Sequence, residues 1–489
     1  MMQLKMLLDG AGYSFDSVQN TEVTGIFSDS AKVLPGGIFV AIRGLHADGT
    51  VFAGEAMKKG AVLVVAEREI EGVPCLTVPN AREALARLSD AFWGHPAKEM
   101  CLIGITGTNG KTSVSMMLYQ ILRMAGYSCG LIGTVECRIN DKVYHPENAN
   151  HLANMTTPDP AELYPLLAAM RDAGVTHVVM EVTSHALAFS KVAPLEFQLA
   201  VFTNLTEDHL DLHGDMERYF AEKRKLFFMC RQAVIFTSTE YGRILADTVQ
   251  VPCFAVSAGK SLLSPLKKGD RGVEFSLCYH GAVIPFYLPV PGDFSVENGA
   301  LAAGSALCLG VPPETVQKAL AAFPGVPGRL ERVKGIPPEF SVFLDYAHTP
   351  DALEKLLRSA RGFGGRRRIV LLFGCGGDRD RAKRAQMGRI ASRLADFLIL
   401  TSDNCRSEKP DAILAEILRG VEKEKPHIVI PDRREAIRYA ALHAEPGDIL
   451  LLAGKGHETY EIRGAQRLPF SERDIVRECF AEREKTDEN

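Results

Sequence analysis

The stretch CLIGITGTNGKTSVSMMLYQIL, residues 101 to 122, leaves this chain few architectures to choose from. Its opening run, CLIGI, reads as a buried strand ending at Gly104. A glycine-rich turn follows, carrying Gly107 and Gly110, and then Lys111 and Thr112. Past the turn, Val114, Met117, Leu118, Ile121, Leu122 and Ala125 fall on one helical face. A strand that feeds a helix in this way implies a parallel sheet with crossover helices.

The pattern recurs along the chain. HVVME, QLAVF and AVIF are short strand candidates after the turn, and RRIVLLFG, DFLIL, HIVIP and DILLLAG follow further on. GIFVAI and AVLVVAE come before it, next to the helix-like AREALARLSDAF. Two Pro/Gly-rich joints, at 94 to 100 and 323 to 333, divide the chain. The expected fold is α/β with three domains, 1–98, 99–328 and 329–489. At 489 residues the chain is too long for one core.

A formal net charge of -4 argues against nonspecific nucleic-acid binding. No apolar run approaches the ~20 residues of a membrane span, and the N-terminus lacks a signal-peptide pattern. Eleven scattered cysteines, with no CxxC pair, suit reduced thiols. The reading is a cytoplasmic protein, with a monomer as the default.

The turn at 104 to 112 is suited to phosphate. Backbone N–H groups and the helix N-terminus face the anion. Lys111 can neutralise β/γ oxygens, and the Thr112 hydroxyl can ligate Mg²⁺. The general motif G-x-x-x-x-G-K-[ST] has glycine where this chain has Ile105. Downstream, Glu181 ends one strand candidate, while Asp208, His209, Asp211 and His213 follow another. Ligands collect at the carboxyl ends of strands in open α/β sheets. The helix-like MERYFAEKRKLF, 216 to 227, reads as a charged, solvated element.

GITGTNGKTS resembles the ATP loop of the Mur ligase family, the amide-forming enzymes of peptidoglycan precursor synthesis. Taken alone, the loop equally resembles folylpolyglutamate and cyanophycin synthetases. EVTSHAL, DHLDLHG and GKGHE extend the Mur ligase resemblance over nearly the whole chain. It implies a central P-loop-type ATPase domain with a mainly parallel sheet and a C-terminal Rossmann-like domain. It implies ATP as co-substrate, with Gly107, Thr108, Asn109, Gly110, Lys111 and Thr112 on the phosphates. VPGDFSVENGALAA, PGRLE and LDYAHTPDAL add Asn298, Arg329, Asp345 and His348 to the nucleotide. Thr112 and Glu181 are implied as holders of one Mg²⁺. Lys223, in DHLDLHGDMERYFAEK, matches a lysine that carries CO₂ as a carbamate and, with His209, holds a second Mg²⁺. The implied catalytic set is Lys111, Glu181, His209 and Lys223.

The N-terminal FSDSAKVLPGGIFVAIRGLHADGT is similar to the UDP-sugar-binding start of the members that extend UDP-N-acetylmuramoyl-L-alanyl-D-glutamate. There the resemblance points to Ser28, Ser30, Leu45, His46 and Ala47. Thr156 and Thr157 of NMTTPDP, with Thr183 and Lys191 of EVTSHALAFSKV, are its muramoyl-peptide contacts. Lys191 stands for an Arg and lacks the bidentate fork, and Phe189 stands where some members have Gln. In the third domain, TSDNCRSEKP resembles the Asp-Asn-Pro-Arg motif of members that add meso-diaminopimelate. Asp403, Asn404 and Arg406 match, and Cys405 replaces proline. Arg379, Gly454 and Glu458 complete that set. An Arg can grip the second carboxylate of diaminopimelate through two parallel hydrogen bonds, and lysine has no such carboxylate.

The implied reaction is phosphorylation of the D-Glu γ-carboxylate by ATP, then attack of the amine on the acyl phosphate. Asp208 and His209 are candidates for the base. The joint at 323 to 328 is the expected hinge for closure over ATP. A lysine-adding ligase, a folylpolyglutamate synthetase and a noncatalytic nucleotide-binding scaffold are the alternatives.

Overall fold

The computed structural model describes residues 2–15, 21–44, 47–144, 155–464 and 466–487. They form two compact units. One spans 1–256 with 301–311, and the other spans 257–300 with 312–489.

In the first unit, strands Gly25–Phe27, Gly37–Val40, Leu63–Ala66 and Cys75–Thr77 form a four-stranded parallel sheet in that order. Helices Leu4–Ala11 and Ala81–Phe92 share one apolar cluster with it, made by Leu7, Ile38, Val65 and Leu88. Ala53 and Ala56, on helix Ala53–Lys58, pack with Phe39 and Val64 in a second cluster. The alternation of Ile38 with Phe39, and of Val64 with Val65, is the period-two pattern of strands buried on both faces.

The larger sheet of this unit has eight strands. Its parallel part runs Cys129–Ile132, His177–Glu181, Cys101–Thr106, Leu199–Phe202, Ala233–Phe236, Cys253–Val256. Two antiparallel strands, Cys137–Ile139 and Lys142–Val143, extend it at the Cys129 edge. The strand expected to stop at Gly104 continues to Thr106. Ile105 is therefore a fully buried strand residue, paired with Glu181 and Val201. That pairing accounts for the missing glycine, because at 105 the backbone is still extended and the turn has not begun.

In the second unit, a six-stranded sheet runs Glu331–Arg332, Ser341–Asp345, Ile449–Ala453, Ile369–Phe373, Phe397–Leu400, His427–Val429. Only the first pairing is antiparallel. A separate three-stranded antiparallel sheet, Leu262–Gly269, Gly272–Tyr279 and Ala282–Leu288, was not visible in the strand pattern. No helix among the described residues is long and apolar enough to cross a membrane. All eleven cysteines are free thiols.

Candidate active site

The strand Cys101–Thr106 lies in the middle of its sheet and leads through the turn into helix Lys111–Met124. Gly107 has φ 146 and Gly110 has φ 85, conformations that L side chains rarely adopt. A Cβ on Gly107 would also lie 1.9 Å from the Thr203 hydroxyl. The segment after the neighbouring strand holds the turn in shape. Thr203 donates to the Asn109 carbonyl at 2.6 Å, and the Asn204 side chain accepts from the Asn109 N–H at 3.0 Å. The Thr108 hydroxyl lies 3.2 Å from both the Thr206 carbonyl and the Tyr219 hydroxyl. Lys111 folds over the turn, donating to the Gly107 and Thr108 carbonyls at 3.0 and 2.8 Å.

Glu181, 1% exposed, ends the strand beside the turn. One of its oxygens accepts from the Thr112 and Thr134 hydroxyls, both at 3.0 Å. The other accepts from the Thr134 N–H at 2.9 Å. Thr134 in turn meets the Thr156 hydroxyl at 2.9 Å. Sequence reasoning missed Thr134. Its signal was a Gly-Thr pair after the apolar CGLI, which is the strand Cys129–Ile132.

Thr157 donates to the Glu181 carbonyl at 2.9 Å and accepts from the Thr183 N–H at 3.1 Å. Thr183 caps the short helix Ser184–Ala188, accepting from the Ala186 N–H. Lys191, 7% exposed, donates to the Thr157 carbonyl at 3.3 Å and pairs with Asp159 at 2.7 Å. The two threonines, Thr183 and Lys191 thus form one wall beside Glu181.

The helix Met216–Arg224 is not solvated along the face that matters. Tyr219, Phe220 and Lys223 are buried, and Lys223 is 1% exposed. Its ammonium donates to the Gly107 carbonyl at 2.8 Å and lies 4.6 Å from the centre of the Tyr219 ring. Burial, reinforced by the Lys111 charge, pushes its pKa well below the usual lysine value. His209, in a left-handed conformation at φ 54, stands edge-on to His185 with ring centres 4.8 Å apart. His213 stacks on Tyr219 at 4.9 Å. Asp208 accepts from the His209 N–H at 2.9 Å.

On the N-terminal sheet, Ser30 donates to Glu55 at 3.2 Å, and Ser28 is exposed. Ala47 is exposed, its carbonyl accepting from Gly44. Leu45 and His46 lie outside the described residues.

In the second unit the other candidates gather at one edge of the six-stranded sheet. Asp345 ends its strand level with Ala453. It accepts from the Leu330 and Ala347 N–H groups at 2.7 and 2.8 Å. The Arg329 guanidinium lies over the Tyr346 ring at 4.6 Å, and His348 stands edge-on to that ring at 4.7 Å. Asn298 is buried on helix Asp293–Cys308.

Asn404 donates to Glu458 at 2.7 Å and accepts from Lys455 at 3.0 Å and from the Ile462 N–H at 2.9 Å. Burial alone would raise the Asp403 carboxyl, but the Lys455 and Arg433 charges outweigh it and hold its pKa down. Lys455, fully buried and 3.7 Å from both Asp403 and Glu458, was also missed. Gly454 has φ 114, and a Cβ there would lie 2.7 Å from an Asp403 oxygen. Arg406 adopts φ 50. Its guanidinium donates to the Gly377 carbonyl at 2.8 Å and the Asn404 carbonyl at 3.3 Å. Arg379 is exposed, and a Cβ on Gly376 would lie 3.8 Å from its Cγ and 3.0 Å from an Arg406 nitrogen. Cys405 is 5% exposed, its thiol 3.9 Å from the Ile462 carbonyl. The loop is thus fixed on both sides of Cys405 without proline.

Arg433 supports the same loop from below. Fully buried, it donates to the Ser402 and Ala453 carbonyls and pairs with Glu472 at 2.8 Å. Removing one member of a buried pair strands the other charge. Arg433→Met is expected to destabilise this unit by about 3–5 kcal/mol, read as a lowered melting temperature. An unchanged melting temperature would contradict that role.

Each unit therefore carries most of its candidate residues at the carboxyl ends of parallel strands, and the comparisons with known proteins match the same parts. The Mur ligase family catalytic-domain model matches residues 22–93. The middle-domain model matches 105–306, and the glutamate ligase domain model matches 328–456. UDP-N-acetylmuramoyl-L-alanyl-D-glutamate--2,6-diaminopimelate ligase of Caldanaerobacter subterraneus subsp. tengcongensis is 42% identical, covering 99% of this chain and 100% of that protein. The protein of that name from Gloeobacter violaceus is 41% identical, over 99% of each chain. A solved structure carrying that name is 28% identical, with a TM-score of 0.72, over 99% of this chain and 100% of the other. Likeness of that extent, from the N-terminal sheet to the loop of Arg406, leaves one conclusion: the chain belongs to the Mur ligase family.

Proposed function

We propose that this protein adds meso-diaminopimelate to UDP-N-acetylmuramoyl-L-alanyl-D-glutamate at the expense of ATP, acting as a cytoplasmic monomer in peptidoglycan precursor synthesis. The observation that carries the reading is the end-to-end likeness, 42% identity over 99% of this chain, to a ligase of that name. A folate-adding enzyme that shared only the phosphate loop would leave the N-terminal sheet and the Arg406 loop unmatched.

In this reading, segment 1–98 binds the UDP-sugar, 99–328 binds ATP and 329–489 admits the amino acid. Ser28, Ser30, Leu45, His46 and Ala47 serve the UDP end. Thr156, Thr157, Thr183 and Lys191 take the muramoyl peptide. Gly107 to Thr112 bind the phosphates of ATP, Asn298 faces the adenine, and Arg329, Asp345 and His348 close on the nucleotide. ATP phosphorylates the D-Glu γ-carboxylate. The amine then adds to the acyl carbon, phosphate leaves, and the nitrogen loses its extra proton. Lys111 and the turn N–H groups neutralise charge as the phosphoryl group moves.

Thr112, Thr134 and Glu181 are a hard-oxygen donor set of the kind Mg²⁺ takes. Among the described residues no group of three or more His, Cys, Asp or Glu side chains could hold a metal ion. Magnesium in nucleotide sites needs only one or two carboxylates, the rest coming from phosphates and water, so the set fits. Thr112 and Glu181 would hold one Mg²⁺, and Lys223 as a carbamate, with His209, a second. Bound there, the metal supplies charge stabilisation to the transferring phosphoryl group. Carbamate formation needs a neutral amine: its nitrogen attacks CO₂ and releases a proton, turning a cation into an anion. A buried lysine with a lowered pKa meets that need.

Arg406, Asn404, Asp403 and Glu458, with Arg379, Cys405 and Gly454, would bind diaminopimelate. Truncating Arg406 to Ala should lower kcat/KM for meso-diaminopimelate about a hundredfold, as expected for two lost charge-assisted hydrogen bonds. KM for ATP should stay put, and steady-state kinetics checks both. The acceptor is tested by mass spectrometry of products made with ATP, Mg²⁺ and meso-diaminopimelate. Extension of the UDP-muramoyl dipeptide supports the reading. Extension of a folate acceptor in its place overturns it.

A further inference from the structure

Helix Ala81–Phe92 opens with Asn80, whose side chain accepts from the Arg82 and Glu83 N–H groups. Arg82 therefore sits in the first turn. A cation there opposes the helix dipole, so helix formation does not explain its presence. Its surroundings do. One guanidinium nitrogen donates to the Arg43 carbonyl at 3.3 Å, at the start of the segment that runs to Ala47. The guanidinium carbon lies 4.5 Å from the centre of the Phe189 ring. Phe189 ends the helix Ser184–Ala188 and stands edge-on to His185 at 6.2 Å.

Arg82 thus joins the N-terminal sheet to the wall built by Thr157, Thr183 and Lys191. No carboxylate among the described residues lies within ion-pair distance of it. A guanidinium has five N–H donors, and the carbonyl uses one. An aromatic platform leaves the edge of the fork free to meet an anion in its own plane.

We propose that Arg82 is a substrate-binding residue. Its guanidinium, held over the Phe189 ring, takes anionic oxygens of the UDP-muramoyl peptide as that substrate passes from the N-terminal sheet to the wall beside Glu181. This rests on the proposed function. Two parts of the substrate offer the chemistry, the diphosphate and the D-Glu α-carboxylate. Phe189 is the platform that makes the Arg effective.

The test is steady-state kinetics on Arg82→Ala, Arg82→Lys and Phe189→Ala, with UDP as a competitive inhibitor. For Arg82→Ala, KM for the UDP-muramoyl dipeptide should rise about ten- to hundredfold, with KM for ATP and the melting temperature unchanged. Arg82→Lys should recover part of the loss, since the charge returns without the fork. Phe189→Ala should raise the same KM severalfold. A matching rise in the UDP inhibition constant assigns the diphosphate, and an unchanged one assigns the carboxylate. An unaltered KM in Arg82→Ala, or an equal rise in KM for ATP, overturns the inference. Lack of turnover by the unmodified protein on this substrate would instead defeat the proposed function.

Discussion

Lys223→Ala is expected to cut ADP release by roughly a thousandfold or more, the scale on which losing a transition-state charge partner acts. Three facts set this residue apart from a solvated surface lysine. It is 1% exposed, its nitrogen touches the Gly107 carbonyl of the phosphate turn at 2.8 Å, and its pKa is driven well below the usual value. A purely structural ammonium would be a costly choice for a buried position. A carbamate makes chemical use of it. Binding of an ATP analogue, measured by calorimetry, should persist in Lys223→Ala, because the turn and Lys111 remain. The unmodified protein should lose turnover in CO₂-depleted buffer and regain it with bicarbonate. The sign follows from the pKa. Raising pH enlarges the neutral amine fraction only up to the lowered pKa, so at a fixed concentration of dissolved CO₂ recovery should speed up with pH and then level off. A Lys223→Ala enzyme within tenfold of the parent would remove Lys223 from the mechanism.

Lys111→Ala should be of similar size, on the order of a thousandfold in kcat/KM for ATP. Lys111 rests on two carbonyls of its own turn, and the second of them, Thr108, is 2.8 Å away. Those bonds have a charged donor and would be worth about 1.5–3 kcal/mol each if buried, but Lys111 is half-buried and water can replace them, so the melting temperature should fall only modestly. The combination of a large kinetic loss and a small stability loss separates a phosphate ligand from a loop support. A large fall in melting temperature with modest kinetics would mean the reverse.

Much of the scaffold was legible. The strands HVVME, AVIF and DFLIL occur where the apolar runs put them, because short buried runs between helices can join only a covered sheet. The end of CLIGI was misplaced by two residues, from Gly104 to Thr106. A glycine inside a strand looks like a turn until the neighbouring strands, which pair with it at Met180 and Ala200, are known. The antiparallel sheet at 262 to 288 was missed although its last strand is the apolar AVIPFYL, because Pro285 inside that run argues against a strand.

At the site, chemistry-bearing motifs were legible and burial was not. Glu181 and Thr112 were found by their places after a strand and a turn. Thr134 and Lys455 were not, since only the fold brings Thr134 onto the Glu181 carboxylate and buries Lys455 between Asn404 and the Tyr460 carbonyl. The charged helix at Met216–Arg224 gave one usable signal in hindsight. Tyr219 and Lys223 are four apart and share the buried face.

The most direct test of the account is ADP release with ATP, Mg²⁺ and UDP-N-acetylmuramoyl-L-alanyl-D-glutamate, varying only the amino acid. Turnover is expected with meso-diaminopimelate and none above background with L-lysine, because the grip proposed for Arg406 requires the second carboxylate. Turnover with L-lysine and not with meso-diaminopimelate would contradict it.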